Sequence, residues 1–301
     1  MVRQPGGRAK VAIGFKTSPQ HVDWATLEAT WTAAGELDVF DSAWMNDHLS
    51  DPRVERGGDS WEPLTLSAAL AHLVPGKWIG HGVLSNTFRH PAVLAKQATA
   101  MDHITGGRFI LGLGAGWHVG EHDTYGIALP PVGERISRLE AAARSIRALF
   151  SDASARPPGV TLDDRFFPLR GAVNLPRPLT PGGPPIWLGG QKPRGLRIAA
   201  RYGDGWILPA GTDDVPEFTE RRGLIVQELE AVGRDPASFT FAAQFPGGTT
   251  ATEHRAAVAR ALRFVDAGST HLILGMPATL GPEHLRTIAR EVALPIREAL
   301  G

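Results

Sequence analysis

Residues 107–127, GRFILGLGAGWHVGEHDTYGI, decide how this chain is read. The apolar run 109–113 is short and unbroken, as expected of a central parallel strand covered on both faces. Gly112, Gly114 and Gly116 then fall at every second position. Glycine in a strand marks a bend, or the close approach of a ligand or another backbone. Trp117 follows at once, with His118, Glu121 and His122 behind it. The pattern describes an apolar strand that delivers the chain to a glycine-floored ledge with an aromatic at its lip. Parallel α/β folds build ligand sites there, beyond the carboxyl ends of their strands.

Working outward, the same beat recurs. Strands are expected at 10–15, 37–44, 78–84, 185–188, 205–208, 239–243 and 271–274, besides the one just quoted. Helices are expected up to residue 34 behind an Asp23 cap, and at 62–74, 91–104, 134–150, 194–202, 215–232, 253–267 and 282–291. Residues 50–60 are polar and glycine-rich and read as a loop. Residues 151–183 break the beat with prolines and glycines and read as an insertion, a hairpin near 160–169 and then an extended segment. Eight alternations in 301 residues is the count of a (β/α)8 TIM barrel. A doubly wound sheet is the alternative, because periodicity does not show closure. The whole chain, 1–301, is expected to form one barrel domain.

The totals narrow the function classes. With 31 basic and 31 acidic residues the chain has no net charge to draw it to nucleic acid or an anionic membrane. It lacks a run of about eighteen apolar residues, and MVRQPGGRAKVAIGF lacks the apolar core of a signal peptide. The expectation is a cytoplasmic protein. Cysteine is absent, so disulfides and thiolate metal sites are excluded.

In a barrel, the polar residues that matter stand at strand carboxyl ends. Asn46, Asp47 and His48 follow the second strand, where a carboxylate and an imidazole can bind a polar ring edge or move a proton. The plainer reading is a capped loop. Ser85, Asn86 and Thr87 follow the third strand and either bond a ligand or cap the helix at Pro91, with Arg89 on the surface. His118, Glu121 and His122 spell H-x-x-E-H, which binds zinc only on a helix. Flanking glycines favour a pocket-lining loop with Glu121 or His122 in structural hydrogen bonds, and no metal site is expected. Gly189, Gly190, Gln191 and Lys192 join a strand to a helix, where bare N–H groups can meet a phosphate. GLGAG is not a G-x-G-x-x-G fingerprint, and no Walker loop is present. Asp204 reads as a structural turn acid. Trp24, Trp31 and Trp44 are core or pocket wall.

With these pieces placed, the chain resembles the luciferase-like monooxygenase superfamily, and within it the deazaflavin-dependent oxidoreductases. The matching segments are FKTSPQ, FDSAWMNDHL, NTFRHPAVLAKQATAMDHITGGRFILGLGAGWHVGEHDTYGI and PIWLGGQKPRGLRIAARYGDGWIL, spread from residue 15 to 208. The resemblance implies a barrel of the bacterial luciferase type and a flat tricyclic cofactor at its mouth. It implies a non-prolyl cis peptide at Gly82-Val83 behind the ring. It places His48 near ring and substrate as first candidate for the catalytic proton donor or acceptor, and Asp47 at the ring's polar edge, either tuning His48 in catalysis or binding the ring. It places Ser85 and Asn86 on the ring edge or ribityl chain, and Gly116 and Trp117 along the cofactor channel. Gly189, Gly190 and Gln191 would hold the phosphate. The implied activity is hydride transfer between coenzyme F420 and a small organic substrate, with a homodimer as the implied assembly. Three other readings stand beside it: an FMN-dependent monooxygenase, a cofactor-binding barrel without turnover, and an unrelated phosphate-binding isomerase. The substrate is not encoded legibly, because the outer wall of the pocket is expected from residues 50–60 and 151–183.

Overall fold

The structure is a computed structural model that describes residues 11–54, 57–209, 211 and 214–301. Lys10, expected to open the first strand, lies outside the described residues. In chain order the strands are β1 (Ala12–Thr17), β2 (Ser42–Met45), β3 (Trp78–His81), β4 (Leu84–Ser85), β5 (Phe109–Gly114), β6 (Val160–Leu162), β7 (Leu169–Ala172), β8 (Ile186–Gly189), β9 (Gly205–Ile207), β10 (Thr240–Pro246) and β11 (His271–Met276). The main sheet runs β3-β2-β1-β11-β10-β9-β8-β5, and β5 pairs back onto β3. All its ladders are parallel, so the sheet closes into an eight-stranded barrel and the doubly wound alternative falls. β4 continues the line of β3 after a break and pairs with β5 alone.

Local chemistry accounts for the helices. Asp23 accepts the Thr26 N–H at 2.7 Å and starts α1 (Trp24–Gly35). Such a cap contributes about 1 kcal/mol. Glu62 caps α2 (Pro63–Leu70), and α3 (Pro91–Ile104) begins on its proline as expected. The remaining long helices are α5 (Val132–Phe150), α6 (Pro193–Tyr202), α7 (Val215–Ala231) and α8 (Ala251–Asp266), the last with a full Thr250/Glu253 capping box. The chain ends in α9 (Gly281–Ile288) and α10 (Leu294–Leu300), joined by a π turn.

Two expectations need correction. The H-x-x-E-H segment is a short helix, α4 (Val119–Tyr125), capped by His118 Nδ1 on the Glu121 N–H at 3.1 Å. Gly126 ends it in the left-handed conformation, so the flanking glycines bound a helix instead of preventing one. Residues 151–183 do carry a β6–β7 hairpin, but their contacts run along the outer helices. Asp102 on α3 receives the Thr180 N–H (2.7 Å) and hydroxyl (2.8 Å), Asn174 reaches Thr99, and Ser145 on α5 donates to Phe167 O. These bonds make the segment a strap over the helical shell.

Two apolar cores result. Ile13, Phe15 and Trp31 belong to the layer between strands and helices. Trp44, Ile110, Trp187, Ile207, Ala242 and Ile273 fill the barrel itself. Trp44 and Trp187 stack at 5.2 Å, and small neighbours make room for them. A Cβ on Gly80 would sit 2.4 Å from the Trp44 ring, and one on Gly205 would sit 2.7 Å from Trp187. Trp44 Nε1 donates to Ser42 Oγ at 2.8 Å, which leaves the Ser42 hydroxyl to donate to His271 Nε2, also at 2.8 Å. Asp204 holds the Ile186 N–H and Arg147, a structural acid as read.

Burial pushes His271 and His81 down to about 4 from an ordinary 6.5. Both are neutral in the fold and charged in the unfolded chain below pH 6.5. Their stability contribution is therefore complete above about pH 6.5 and declines as pH falls toward 4, by on the order of 1.4 kcal/mol per unit for each. Melting followed by circular dichroism should show a Tm that drops across that window, and the double variant His81→Gln/His271→Gln should start lower at pH 7 but lose less on acidification. A parallel acid limb in both proteins would remove these histidines from the account.

Candidate functional site

The site gathers at the carboxyl ends of the barrel strands, and the glycine run builds its back wall. The glycines receive the β3–β4 segment and the turn just beyond it. A Cβ on Gly112 would lie 1.7 Å from His81 O, one on Gly114 2.5 Å from the Val83 side chain, and one on Gly116 2.6 Å and 2.8 Å from the Thr87 and Ser85 hydroxyls. Gly116 has φ +78°, a second reason for glycine there. The ledge read from the sequence is therefore occupied by protein, and its function is to let β3–β4 ride against β5. The peptide Gly82-Val83 is cis, at the expected bond.

Asp47 is buried, and protein donors hold its carboxylate. Oδ2 accepts the Ser85 N–H (2.6 Å) and Arg89 Nη1 (2.7 Å), and Oδ1 accepts Arg89 Nη2 (2.9 Å). Asp47 thus sets the position of Ser85 from the end of the neighbouring strand. Arg89 is not a surface residue. Its side chain is 9% exposed and lies between Asp47 and Glu62. Burial pulls its pKa down, but the two carboxylates outweigh burial and hold it above its ordinary value.

His48 and Glu121 form a second pair. His48 Nδ1 lies 2.8 Å from Glu121 Oε2, while Glu121 Oε1 accepts the N–H groups of Leu49 (2.6 Å) and Ser50 (3.1 Å). Glu121 is 1% exposed. Burial pushes its carboxyl up, but the His48 bond and the two backbone N–H groups prevail and keep it below the usual range. With Nδ1 on the carboxylate, Nε2 is the ring atom left for chemistry. Trp117 is 62% exposed and meets the His48 ring edge to face at 5.8 Å. α4 thus supplies the carboxylate that orients the His48 ring. Its signal in the sequence was an acid three residues beyond a possible cap, His118.

A hydroxyl relay lies alongside. Ser85 Oγ and Thr87 Oγ1 are 2.6 Å apart, Thr87 Oγ1 and His122 Nε2 2.7 Å, and His122 Nδ1 is 2.7 Å from His118 O. His122 Nδ1 donates to that carbonyl; in the neutral ring Nε2 then accepts from Thr87, Thr87 accepts from Ser85, and Ser85 Oγ keeps its lone pairs. The Oδ1 atoms of Asn86 and Asn46 are buried without a donor among the described residues. Across the barrel, Gly189 ends β8 and Gly190 O accepts Trp206 Nε1 at 2.9 Å. Gln191 and Lys192 are exposed at the start of α6. Below the mouth, Lys16 Nζ donates to Gln244 Oε1 (2.8 Å) and Gly82 O (3.3 Å), a residue that the sequence reading passed over. A lysine two residues past the inward-facing Gly14 of β1 was the available signal. Among the described residues no group of three or more His, Cys, Asp or Glu is placed to hold a metal ion.

Residues 16–293 match the luciferase-like monooxygenase family. A phthiodiolone/phenolphthiodiolone dimycocerosates ketoreductase of Mycobacterium sp. (strain JLS) is 32% identical over 223 residues, 68% of this chain and 56% of that protein. An F420-dependent glucose-6-phosphate dehydrogenase of Microbacterium testaceum (strain StLB037) is 33% identical over 211 residues, 69% of this chain and 59% of that protein. The matched regions span under three fifths of the length of these relatives. Among solved structures, an F420-dependent secondary alcohol dehydrogenase in complex with an F420-acetone adduct superposes with a TM-score of 0.81 at 19% identity, covering 95% of this chain and 99% of that one, a likeness of fold. On the family match over nearly its whole length and the closed parallel barrel, the chain belongs to the luciferase-like monooxygenase family.

Proposed function

We propose that the chain is one luciferase-like barrel that acts as a coenzyme F420-dependent oxidoreductase on a small organic substrate. The observation that carries the reading is the pairing of His48 with buried Glu121 at the mouth of a barrel whose relatives include F420-dependent glucose-6-phosphate dehydrogenases. When bound, the deazaflavin supplies a ring carbon that gives or accepts a hydride.

The residues present fit such a group. Asn86 Oδ1 is a buried acceptor without a donor among the described residues, as a ligand N–H or hydroxyl would supply. Ser85 offers lone pairs to a ring-edge N–H or a ribityl hydroxyl. Gly82 and Val83 back the ring, and Gly116 and Trp117 line its channel. Gly189, Gly190 and Gln191, with the N-terminus of α6 and Lys192, suit a phosphate by bare backbone and positive charge. Asp47 acts through Ser85 and Arg89 and holds the cofactor side of the mouth in register. His48 Nε2 takes a proton from a substrate hydroxyl or returns one to a carbonyl oxygen, and Glu121 fixes the ring for that transfer. Closure of the site around a flat ligand excludes water and orients donor and acceptor, which is the protein's share of hydride-transfer catalysis. The FMN-dependent reading shares the tricycle, ribityl and phosphate, and is tested beside it. A cytoplasmic location and a homodimer complete the proposal; no helix among the described residues is long and apolar enough to cross a membrane.

A fluorescence titration of the purified protein against F420 and FMN should give tight binding of F420 and at least about 100-fold weaker binding of FMN; the reverse order would assign the FMN branch. His48→Ala is expected to lower kcat by about 10²- to 10⁴-fold and leave cofactor affinity within a few fold. Gly190→Val should instead weaken cofactor binding about tenfold or more with kcat little changed. Identical profiles for the two variants would break the division of labour. Sedimentation velocity should give a species of twice the chain mass, and a monomer at all concentrations would discard the dimer.

A further inference from the structure

Among the described residues, the floor of the mouth holds a cation with no anion beside it. Lys16 stands near the carboxyl end of β1, and both its acceptors, Gln244 Oε1 and Gly82 O, are neutral. Gln244 Nε2 passes the contact on to Leu208 O at 2.7 Å, so one polar layer ties together β1, β10 and the chain just beyond β3 and β9. Beneath that layer lies the apolar barrel interior of Trp44, Ile110, Trp187 and Ile273. Above it rise the loops that carry His48, Ser85 and Gly189. The mouth's buried carboxylates are committed elsewhere, Asp47 to Arg89 and Glu121 to His48. Among the described residues Lys16 makes no ion pair; burial alone acts on it and pushes the ammonium down to about 8.

Lys16 is partly buried; a cation drawn even partly from water without a counter-ion carries a cost, and a residue needed only for packing would be apolar. Lys16 therefore answers to a charge that arrives with the ligand. Charge bookkeeping on the proposed reaction identifies it. The substrate C–H bond breaks and both its electrons leave with the hydrogen for the ring carbon. The substrate hydroxyl proton goes to His48 Nε2. The ring has then gained one hydrogen and one negative charge. We propose that Lys16 is the counter-ion of the hydride-loaded ring, so that the protein binds reduced cofactor more tightly than oxidised. The inference rests on the F420 reading above. It makes Lys16 an electrostatic partner of the ring, distinct from the proton-handling His48.

The test is an anaerobic fluorescence titration of oxidised and reduced F420 with the wild-type protein and with Lys16→Met, Lys16→Gln and Lys16→Arg. Both neutral variants should lose the preference for the reduced form by at least about tenfold, which for a two-electron couple is a bound potential about 30 mV more negative. Lys16→Gln keeps an N–H donor for Gln244, so the same loss there reports charge and not the hydrogen bond. Lys16→Arg should keep the preference within about threefold of wild type. An unchanged ratio in both neutral variants overturns the proposal. So does a ratio lost as fully in Lys16→Arg as in Lys16→Met, which assigns Lys16 to packing. Wild-type protein that binds FMN and neither form of F420 overturns the cofactor assignment and this inference with it, whereas F420 binding with an unmoved ratio overturns the inference alone.

Discussion

The structure depends on the interlock between β5 and the β3–β4 segment. Gly112, Gly114 and Gly116 face His81, Val83 and Ser85 at separations no side chain would allow. That alternation follows the two-residue period of both segments. It closes the barrel at the β3–β5 seam, carries the break at Gly82-Val83, and delivers Ser85 to the mouth beside Asp47. A single methyl group at Gly112 would collide with backbone, which cannot move aside as a flexible side chain would. The back wall of the site and the closure of the fold are thus one feature.

Buried charge at the mouth follows a clear division. Each carboxylate that leaves water is met by a cation or by backbone N–H groups, as burial requires. Asp47 meets Arg89, and Glu121 meets His48 with two N–H groups. Arg89 and Glu121 each hold a residue of the mouth in place: one through Asp47 to Ser85, the other directly at His48. The reactive candidates therefore stand on fixed supports, which lowers the cost of orienting them when a ligand arrives. Lys16 is the exception to the pairing, and it lies at the boundary between the apolar barrel interior and the mouth.

The interior obeys the same reciprocity of large and small. Trp44 and Trp187 stack across the barrel because Gly14, Gly80 and Gly205 yield the space. Dense packing of this kind leaves little freedom to the strands, so the loops above them inherit a rigid base. The strap at 151–183 contributes from outside. It ties α3 and α5 together through Asp102, Thr99 and Ser145 and leaves the mouth to the β-α loops.

The sequence by itself determined the beat of eight strands, the helix starts at Asp23 and Pro91 and the hairpin in the insertion, because these rest on local periodicity, capping and turn chemistry, whereas closure into a barrel was decided by the pairing of β5 with β3. Resemblance added the cis bond at Gly82-Val83 and the roll of candidate residues. Only the tertiary structure decided what those residues touch. Arg89 reads as a surface residue until Asp47 and Glu62 close on it from 42 and 27 positions away. Glu121 reads as a loop acid until α4 forms and carries it under His48, 73 residues distant. Lys16 shows nothing in its neighbours in sequence, since its partners Gly82 and Gln244 lie 66 and 228 residues along. Electrostatic partnership acts through space, and burial sets its strength; neither is a property of a segment, so both wait for the barrel to close.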